Sequence, residues 1–263
     1  MKVAVIGIGN MGSAIVKGLS RSAVISQSDI TVSDISNEAI EKLRVYASSI
    51  KYTSNNQEAA ANANIIILAV KPWLIDDLAA QIKYTLDYKK QIIVSVAAGI
   101  TCEDLNRMFV NANNEVPAIY RAIPNIAFEN DESMTFLCTE NGQKEQTAKI
   151  ISIFEECGKA LLLNEKDMVS ATALGSCGIA FAFRYVSASM SAGVEMGFPP
   201  CSSKEIAIQT LKGAISLLEN SGLHPETLIS KVTTPGGITI KGVNELDHNG
   251  FTSALIKAYK ACK

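Results

Sequence analysis

The chain has 263 residues, with 24 Lys and Arg against 26 Asp and Glu and a net charge of −2. That balance, spread without basic stripes or charge blocks, excludes the electrostatic footprint of a nucleic-acid-binding surface. The length suits one large domain or two modest ones, and the 48% hydrophobic content supplies a sizeable core.

From the N-terminus, short β-branched runs alternate with helical stretches. Strands are expected at Lys2–Ile6, Ile30–Ser33, Ile65–Val70, Gln91–Val96 and Ala118–Ala122. Helices are expected at Met11–Ser20, Glu38–Tyr46, Gln57–Ala61, Asp76–Tyr84 and Cys102–Phe109. This alternation is the pattern of a parallel sheet. The continuously apolar runs at 65–70 and 92–96 read as central strands covered on both faces. A further strand, helix and strand follow at Ser133–Thr139, Lys144–Cys157 and Ala160–Leu163.

Beyond Leu163 strand signals cease, and helical stretches run at about 165–196, 203–220, 225–231, 239–248 and 251–261. The expected architecture is therefore an α/β domain at 1–163, doubly wound on a mostly parallel sheet, followed by an all-helical domain at 164–263. Between Met168 and Val194, Arg184 is the only charge. Serines 170, 176, 187, 189 and 191 break up the apolar run, so it reads as a helix buried on most faces against another subunit, not as a membrane span. In the next helix Ala207, Leu211, Ala214, Ile215 and Leu218 follow helical spacing and mark an expected buried face.

The six cysteines (102, 138, 157, 177, 201 and 262) form no C-x-x-C pair, and only His224 and His248 accompany them. Metal-ligand spacing is absent, so no metal is expected, and the cysteines read as reduced thiols. With a strand starting at Lys2 in place of a leader peptide, the expected compartment is the cytoplasm.

Gly7-Ile8-Gly9-Asn10-Met11-Gly12 lies between the first strand and the first helix. The first glycine permits a tight turn, the second lets backbone approach a pyrophosphate, and the third lets helix and strand pack closely. The helix N-terminus then offers its N–H groups to the phosphates. In this setting the motif reads as the Rossmann site of a nicotinamide dinucleotide. Asp34 ends the second strand, 25 residues past Gly9, where a carboxylate bonds ribose hydroxyls and repels a 2′-phosphate. No Lys or Arg follows in Ile35-Ser36-Asn37, so NADH is expected to serve at least as well as NADPH. The other reading makes Asp34 a cap for the helix beginning near Asn37.

Near the other end stands Thr234-Pro235-Gly236-Gly237-Ile238-Thr239-Ile240. Proline fixes φ, two glycines can orient successive N–H groups toward an anion, and a helix begins near Thr239. The loop suits a substrate carboxylate, with the Thr239 hydroxyl near a reacting nitrogen. The alternative is a plain helix–helix turn with Thr239 as N-cap.

Read in order, the motifs resemble those of pyrroline-5-carboxylate reductases over essentially the whole chain. Ala69-Val70-Lys71-Pro72 is similar to that family's A-V-K-P, and Ser95-Val96-Ala97-Ala98-Gly99-Ile100 to its S-x-A-A-G-I. Arg121-Ala122-Ile123-Pro124-Asn125 is similar to R-x-M-P-N. The loop at 235–240, with His224-Pro225 before it and Gly250-Phe251 after it, resembles the family's most specific motif. The resemblance implies NAD(P)H-dependent reduction of 1-pyrroline-5-carboxylate to L-proline. It implies cofactor contacts from Asn56, Ala69, Val70, Lys71, Pro72, Ala97, Ala98 and Gly99, besides Gly7, Ile8, Gly9, Asn10, Met11, Gly12 and Asp34. Substrate contacts fall on Thr234, Gly236, Gly237, Ile238 and Thr239, with Thr239 in the catalytic position. Glu165, which precedes Thr172 at the family's spacing, is a further substrate candidate or an exposed helix-start carboxylate. The resemblance also implies a homodimer through the helical domain and assembly of such dimers.

One segment departs from the family. Where it has S-G-S-G-P-A-Y, this chain has Gly175-Ser176-Cys177-Gly178-Ile179-Ala180-Phe181, and loss of the proline should straighten or reshape the helix start. Two other functions stay open on sequence. A β-hydroxyacid-type dehydrogenase would need a catalytic lysine, for which Lys204 and Lys212 are available without a motif around them. A non-catalytic dinucleotide sensor would be marked by the altered 175–181 segment, and retention of the glycine loop argues against it.

Overall fold

The computed structural model describes residues 1–263 and divides them into two compact units, Met1–Ser176 and Cys177–Lys263.

The first unit is built on an eight-stranded sheet of order β3-β2-β1-β4-β5-β6-β7-β8. The strands are β1 (Val3–Ile6), β2 (Ile30–Ser33), β3 (Lys51–Thr53), β4 (Ile65–Leu68), β5 (Ile92–Ser95), β6 (Ala118–Ile123), β7 (Ser133–Cys138) and β8 (Gly158–Leu162). Every pairing is parallel except β6 with β7. Helices α1 (Asn10–Leu19), α2 (Asn37–Arg44), α3 (Asn56–Ala61), α4 (Ile75–Ile82), α5 (Cys102–Phe109) and α6 (Lys144–Glu155) connect them. Alternate residues of β1 enter different cores. Val3 and Val5 join Ile15, Leu19 and Phe154 on one face, and Ala4 and Ile6 join Ala60, Leu78 and Phe109 on the other. A strand covered on both faces has no polar side, which is why β1, β4 and β5 read as continuous apolar runs.

Local chemistry fixes the helix starts. Ser36 Oγ accepts the Ala39 N–H at the head of α2, Asn55 accepts two N–H groups at the head of α3, and Thr101 with Asp104 forms a capping box on α5.

β3 was not expected from sequence. Its residues are exposed or half-buried and it lies at the sheet edge, so it has little hydrophobic pattern to reveal it. The compact unit also continues past Leu163. After β8, the turn at Glu165–Asp167 leads into α7 (Met168–Thr172), whose Met168 and Ala171 pack with Ile123, Phe136 and Cys138. The change of secondary structure thus comes before the change of packing, at Ser176.

Residues Ala173–Cys177, within the segment that departs from the family pattern, form a π turn. Gly175 lies against the Phe136 ring, and its carbonyl accepts from Asn125 Nδ2 at 3.0 Å.

The second unit holds α8 (Gly178–Glu195), α9 (Pro200–Ser221), α10 (Pro225–Val232), α11 (Ile238–His248) and α12 (Phe251–Ala261). Gly193 lets α8 approach α9, since a Cβ there would stand 2.6 Å from Ser203 Oγ. Phe181 meets Tyr259 edge-on at 4.9 Å, tying α8 to α12. The apolar faces of α8 and α9 are not covered within a single chain. Within the chain only Gly193 of α8 is buried, and of the five apolar positions marked on α9 only Ala207 is. Ile215 and Leu218 are exposed, as are Phe183 and Tyr185. A helical unit of this size has too little interior to enclose so many apolar side chains. The run Glu165–Glu195 is long and apolar enough to cross a membrane by length and composition, with a hydropathy of 1.3.

Candidate active site

A cleft of about 600 Å³ opens at the carboxyl ends of β1, β2, β4 and β5. It lies where the chain order reverses on either side of β1, the place where open parallel sheets bind ligands. Gly7 turns the chain out of β1 with φ +91°, and a Cβ there would stand 2.8 Å from Val70 Cγ1. At Gly12 a Cβ would stand 2.0 Å from the Gly7 carbonyl oxygen, so only glycine allows α1 to sit this close to the turn. Gly9 differs from both. Nothing lies within 4 Å of its missing Cβ, and it lines the cleft at the head of α1, where no side chain caps the helix. The first turn of α1 therefore keeps N–H groups available for an anion passing over Gly9.

Of the expected cofactor residues, Gly7, Gly9, Asn10, Met11, Asp34, Asn56, Ala69, Val70, Lys71, Pro72, Ala97 and Ala98 line this cleft. Ile8, Gly12 and Gly99 do not. Ile8 is buried and gives its N–H to Asp34, Gly12 serves packing, and Gly99 holds a left-handed turn at φ +78°. The Asp34 carboxylate accepts from the Ile8 N–H at 2.7 Å and from the Ser36 N–H at 2.8 Å. It ties the glycine turn to the loop after β2, while the cap of α2 is Ser36 and not Asp34. Asn56 accepts from Ser33 Oγ at 2.7 Å and donates to Gln81 at 2.9 Å, so its amide is held at the cleft wall. Lys71 is the only cation in the lining.

Leu74, Asp77, Leu78 and Gln81 from α4 and the segment before it, with Ile35 and Ile126, also line the cleft and were not expected. The helical spacing of 74, 78 and 81 is visible in the sequence. Which neighbour that face borders is not.

Glu165 lies in a different cluster of the first unit. Its carboxylate pairs with Arg121 and accepts from the Cys138 thiol at 2.9 Å and the Cys102 N–H at 3.4 Å. The two thiols are 3.7 Å apart. Burial alone would raise the Glu165 carboxyl, but the hydrogen bonds from Cys102 and Cys138 and the Arg121 charge outweigh it and hold the group below its ordinary range. Conversely, the contact with Cys138, burial and the nearby carboxylate push the Cys102 thiol well up. Arg121 is buried, and its Nε has no partner. The scattered cysteine spacing gave no hint of this grouping, because β5, β6, β7 and β8 must pair in that order before these segments converge.

In the second unit, α11 begins at Ile238 with Gly237 as its N-cap, so Thr239 lies in the first turn and does not cap it. Gly236 holds φ +72°, a conformation suited to glycine, and the Gly237 N–H returns to the Thr234 carbonyl at 2.9 Å. Thr234, Gly236, Ile238 and Thr239 are all exposed, and no side chain caps α11. The loop thus presents an uncapped helix start with a hydroxyl beside it. Upstream, His224 Nδ1 accepts the Glu226 N–H at 3.3 Å, which makes His224 the cap of α10. Lys204 and Lys212 are exposed on α9.

Comparison with known proteins bears on both units. A family model described as pyrroline-5-carboxylate reductase dimerisation matches residues 165–263, and one described as NADP oxidoreductase, coenzyme F420-dependent, matches residues 2–99. Pyrroline-5-carboxylate reductase 2 of Dictyostelium discoideum is 37% identical over 97% of this chain and 88% of its own length. Reductase 1 of the same organism is 38% identical over 97% of this chain, which spans only 47% of that longer relative. The crystal structure of Plasmodium falciparum pyrroline carboxylate reductase with NADP bound superposes with a TM-score of 0.88, at 28% identity, over 100% of this chain and 95% of that one. The glycine turn at one end and the glycine loop at the other belong to a single pattern, and the chain is a member of the pyrroline-5-carboxylate reductase family.

Proposed function

We infer that the chain reduces the cyclic imine 1-pyrroline-5-carboxylate to L-proline with NAD(P)H, the last step of proline biosynthesis. The observation that carries this is a family relationship spanning 97% of the chain and including both glycine elements. The cleft residues fit a dinucleotide, since Gly9 leaves open the space that any side chain would fill. A bound dihydronicotinamide supplies the hydride that reduces the imine carbon. Gly9 and the first turn of α1 hold the pyrophosphate, and Asn56, Ala69, Val70, Lys71, Pro72, Ala97 and Ala98 form walls of the cofactor site. In the second unit, the N–H groups of Gly236 and Ile238 hold the substrate carboxylate, Gly237 shapes the loop through its bond to Thr234, and Thr239 orients the ring nitrogen. A threonine hydroxyl is too weak an acid to protonate that nitrogen alone, so the proton arrives with the substrate as its iminium form or from water.

Asp34 supports use of NADH, because the loop after it carries no cation to balance a 2′-phosphate. Exposed apolar side chains on α8 and α9 support a homodimer formed through the helical unit, with dimers assembling further. The description of the family model over 165–263 as a dimerisation segment favours this over a membrane as the cover for that surface. Six free cysteines accord with a cytoplasmic protein.

The first test is NAD(P)H oxidation with and without pyrroline-5-carboxylate. Substrate-dependent oxidation yielding proline is expected. Cofactor binding without turnover would instead favour a sensor, and turnover of a β-hydroxyacid in its place would favour the other dehydrogenase class.

A further inference from the structure

Cys102, Cys138 and Glu165 converge from three separate segments at the carboxyl ends of β5, β7 and β8. Each can offer one ligand atom, and these atoms all lie within 4.8 Å of one another. Both cysteines are buried, and the Glu165 side chain, 28% exposed, forms the cluster's opening to solvent.

We propose that this cluster is a binding site for a thiophilic divalent cation of the zinc class, with the Cys102 and Cys138 sulfurs and one Glu165 oxygen as its protein ligands. Two observations carry it. The first is spacing: two thiolates on one tetrahedral ion, with metal–sulfur bonds of about 2.3 Å, stand roughly 3.8 Å apart. The two sulfurs here are 3.7 Å apart before any ion enters. The second is donor chemistry. Two sulfurs and a carboxylate suit zinc, cadmium or cobalt and not magnesium or calcium, which take oxygen ligands.

The binding step balances. On binding, two S–H bonds break, two protons leave to solvent and two metal–sulfur bonds form, with no change of oxidation state. In the bound site two thiolates, a carboxylate, a guanidinium and a divalent ion sum to zero formal charge. Arg121, whose other contacts leave Nε without a partner, stays on the outer side of the carboxylate and orients it. The fourth position faces the solvent-exposed side of Glu165 and takes water. Glu165 has only to withdraw slightly from Cys138, since an edge between sulfur and oxygen on a tetrahedral ion is about 3.5 Å against the 2.9 Å seen here. Because Cys102 opens α5 just beyond the Ala97-Ala98 wall of the cleft, the ion would clip that wall to β7 and to the turn after β8.

The test titrates Co²⁺ and then Zn²⁺ into the full chain carrying Cys177→Ser, Cys201→Ser and Cys262→Ser, which removes the accessible thiols. One cobalt per chain is expected, with thiolate charge-transfer absorption, tetrahedral visible bands, two protons released and displacement by zinc. Cys138→Ala should weaken binding by about 100-fold or more. Unchanged binding in that variant, or no binding in its parent, overturns the proposal. Since a buried substitution can unsettle the fold, the unmutated chain is also alkylated with and without Zn²⁺, at a denaturant concentration where the metal-free chain labels at Cys102 and Cys138, and mapped by mass spectrometry. Zinc should protect Cys102 and Cys138 but not Cys157. Equal labelling of Cys102 and Cys138 with and without the ion, or their recovery as a disulfide, refutes the site.

Discussion

Adding one methyl group to Gly12 or to Gly9 separates the two roles assigned to the glycine turn. At Gly12 the new Cβ would stand 2.0 Å from the Gly7 carbonyl oxygen, 2.9 Å from its carbon and 3.2 Å from Ala69 Cβ. Ordinary contacts are about 3.5 Å, so α1 must move away from β1 by more than an ångström. Overpacking of this kind costs ~1–3 kcal/mol, a fall of roughly 2–12 °C in Tm for a unit of this size.

Gly9→Ala meets nothing. The backbone there has φ −63° and ψ −165°, which alanine adopts freely. Stability should be unchanged or rise by ~0.4–1 kcal/mol through the unfolded chain. Its methyl group projects into the cleft, however, and should displace the pyrophosphate from the first turn of α1. Losing one charge-assisted hydrogen bond there, worth ~1.5–3 kcal/mol, weakens dinucleotide binding about 10- to 150-fold. Calorimetric melting and NADPH fluorescence titration read the two quantities separately. Wild-type affinity in Gly9→Ala would refute the placement of the pyrophosphate over Gly9. An unchanged Tm in Gly12→Ala would refute the packing argument.

Thr239→Ala should lower kcat far more than cofactor affinity, measured by steady-state rates beside cofactor titration; unchanged turnover removes Thr239 from the mechanism. For the wild-type chain, kcat/KM with NADH is expected to equal or exceed that with NADPH, and a strong NADPH preference contradicts the role given to Asp34. Gln91→Leu should destabilise the chain by at least ~2 kcal/mol in a denaturant melt. Gln91 is buried, donates to the Ala60 and Ala63 carbonyls at 2.8 and 2.7 Å and accepts from the Asp87 N–H. Light scattering should find a dimer or larger assembly, and charged substitutions at Phe183 and Leu217, both exposed within one chain, should dissociate it. A monomeric wild-type chain would leave that apolar surface unaccounted for.

Much of the fold was legible because its signals are local. The apolar runs of β1, β4 and β5 need covering on both faces wherever they occur. Gly7 and Gly12 need particular backbone geometry that no other residue supplies. The departure at 175–181 was visible as a changed motif, but the π turn at Ala173–Cys177 was not, since its backbone rests on contacts such as Asn125 to Gly175. β3 escaped because an edge strand with exposed side chains has no burial to advertise. The apolar positions of α8 and α9 were readable, but what covers them was not, because periodicity marks which face is apolar and not what lies against it.

By itself, then, the sequence determined the α/β order of the first unit, the dinucleotide turn at 7–12, the loop at 234–239 and the family to which the chain belongs. Tertiary structure alone decided the rest. It brought Leu74, Leu78 and Gln81 to the cleft, carried the first unit past Leu163 to Ser176, and set Cys102, Cys138, Arg121 and Glu165 together. The physical reason is separation along the chain. A turn or a strand face is specified by neighbours a few residues apart, whereas Cys102 and Glu165 lie 63 residues apart and meet only once the sheet has set its strand order.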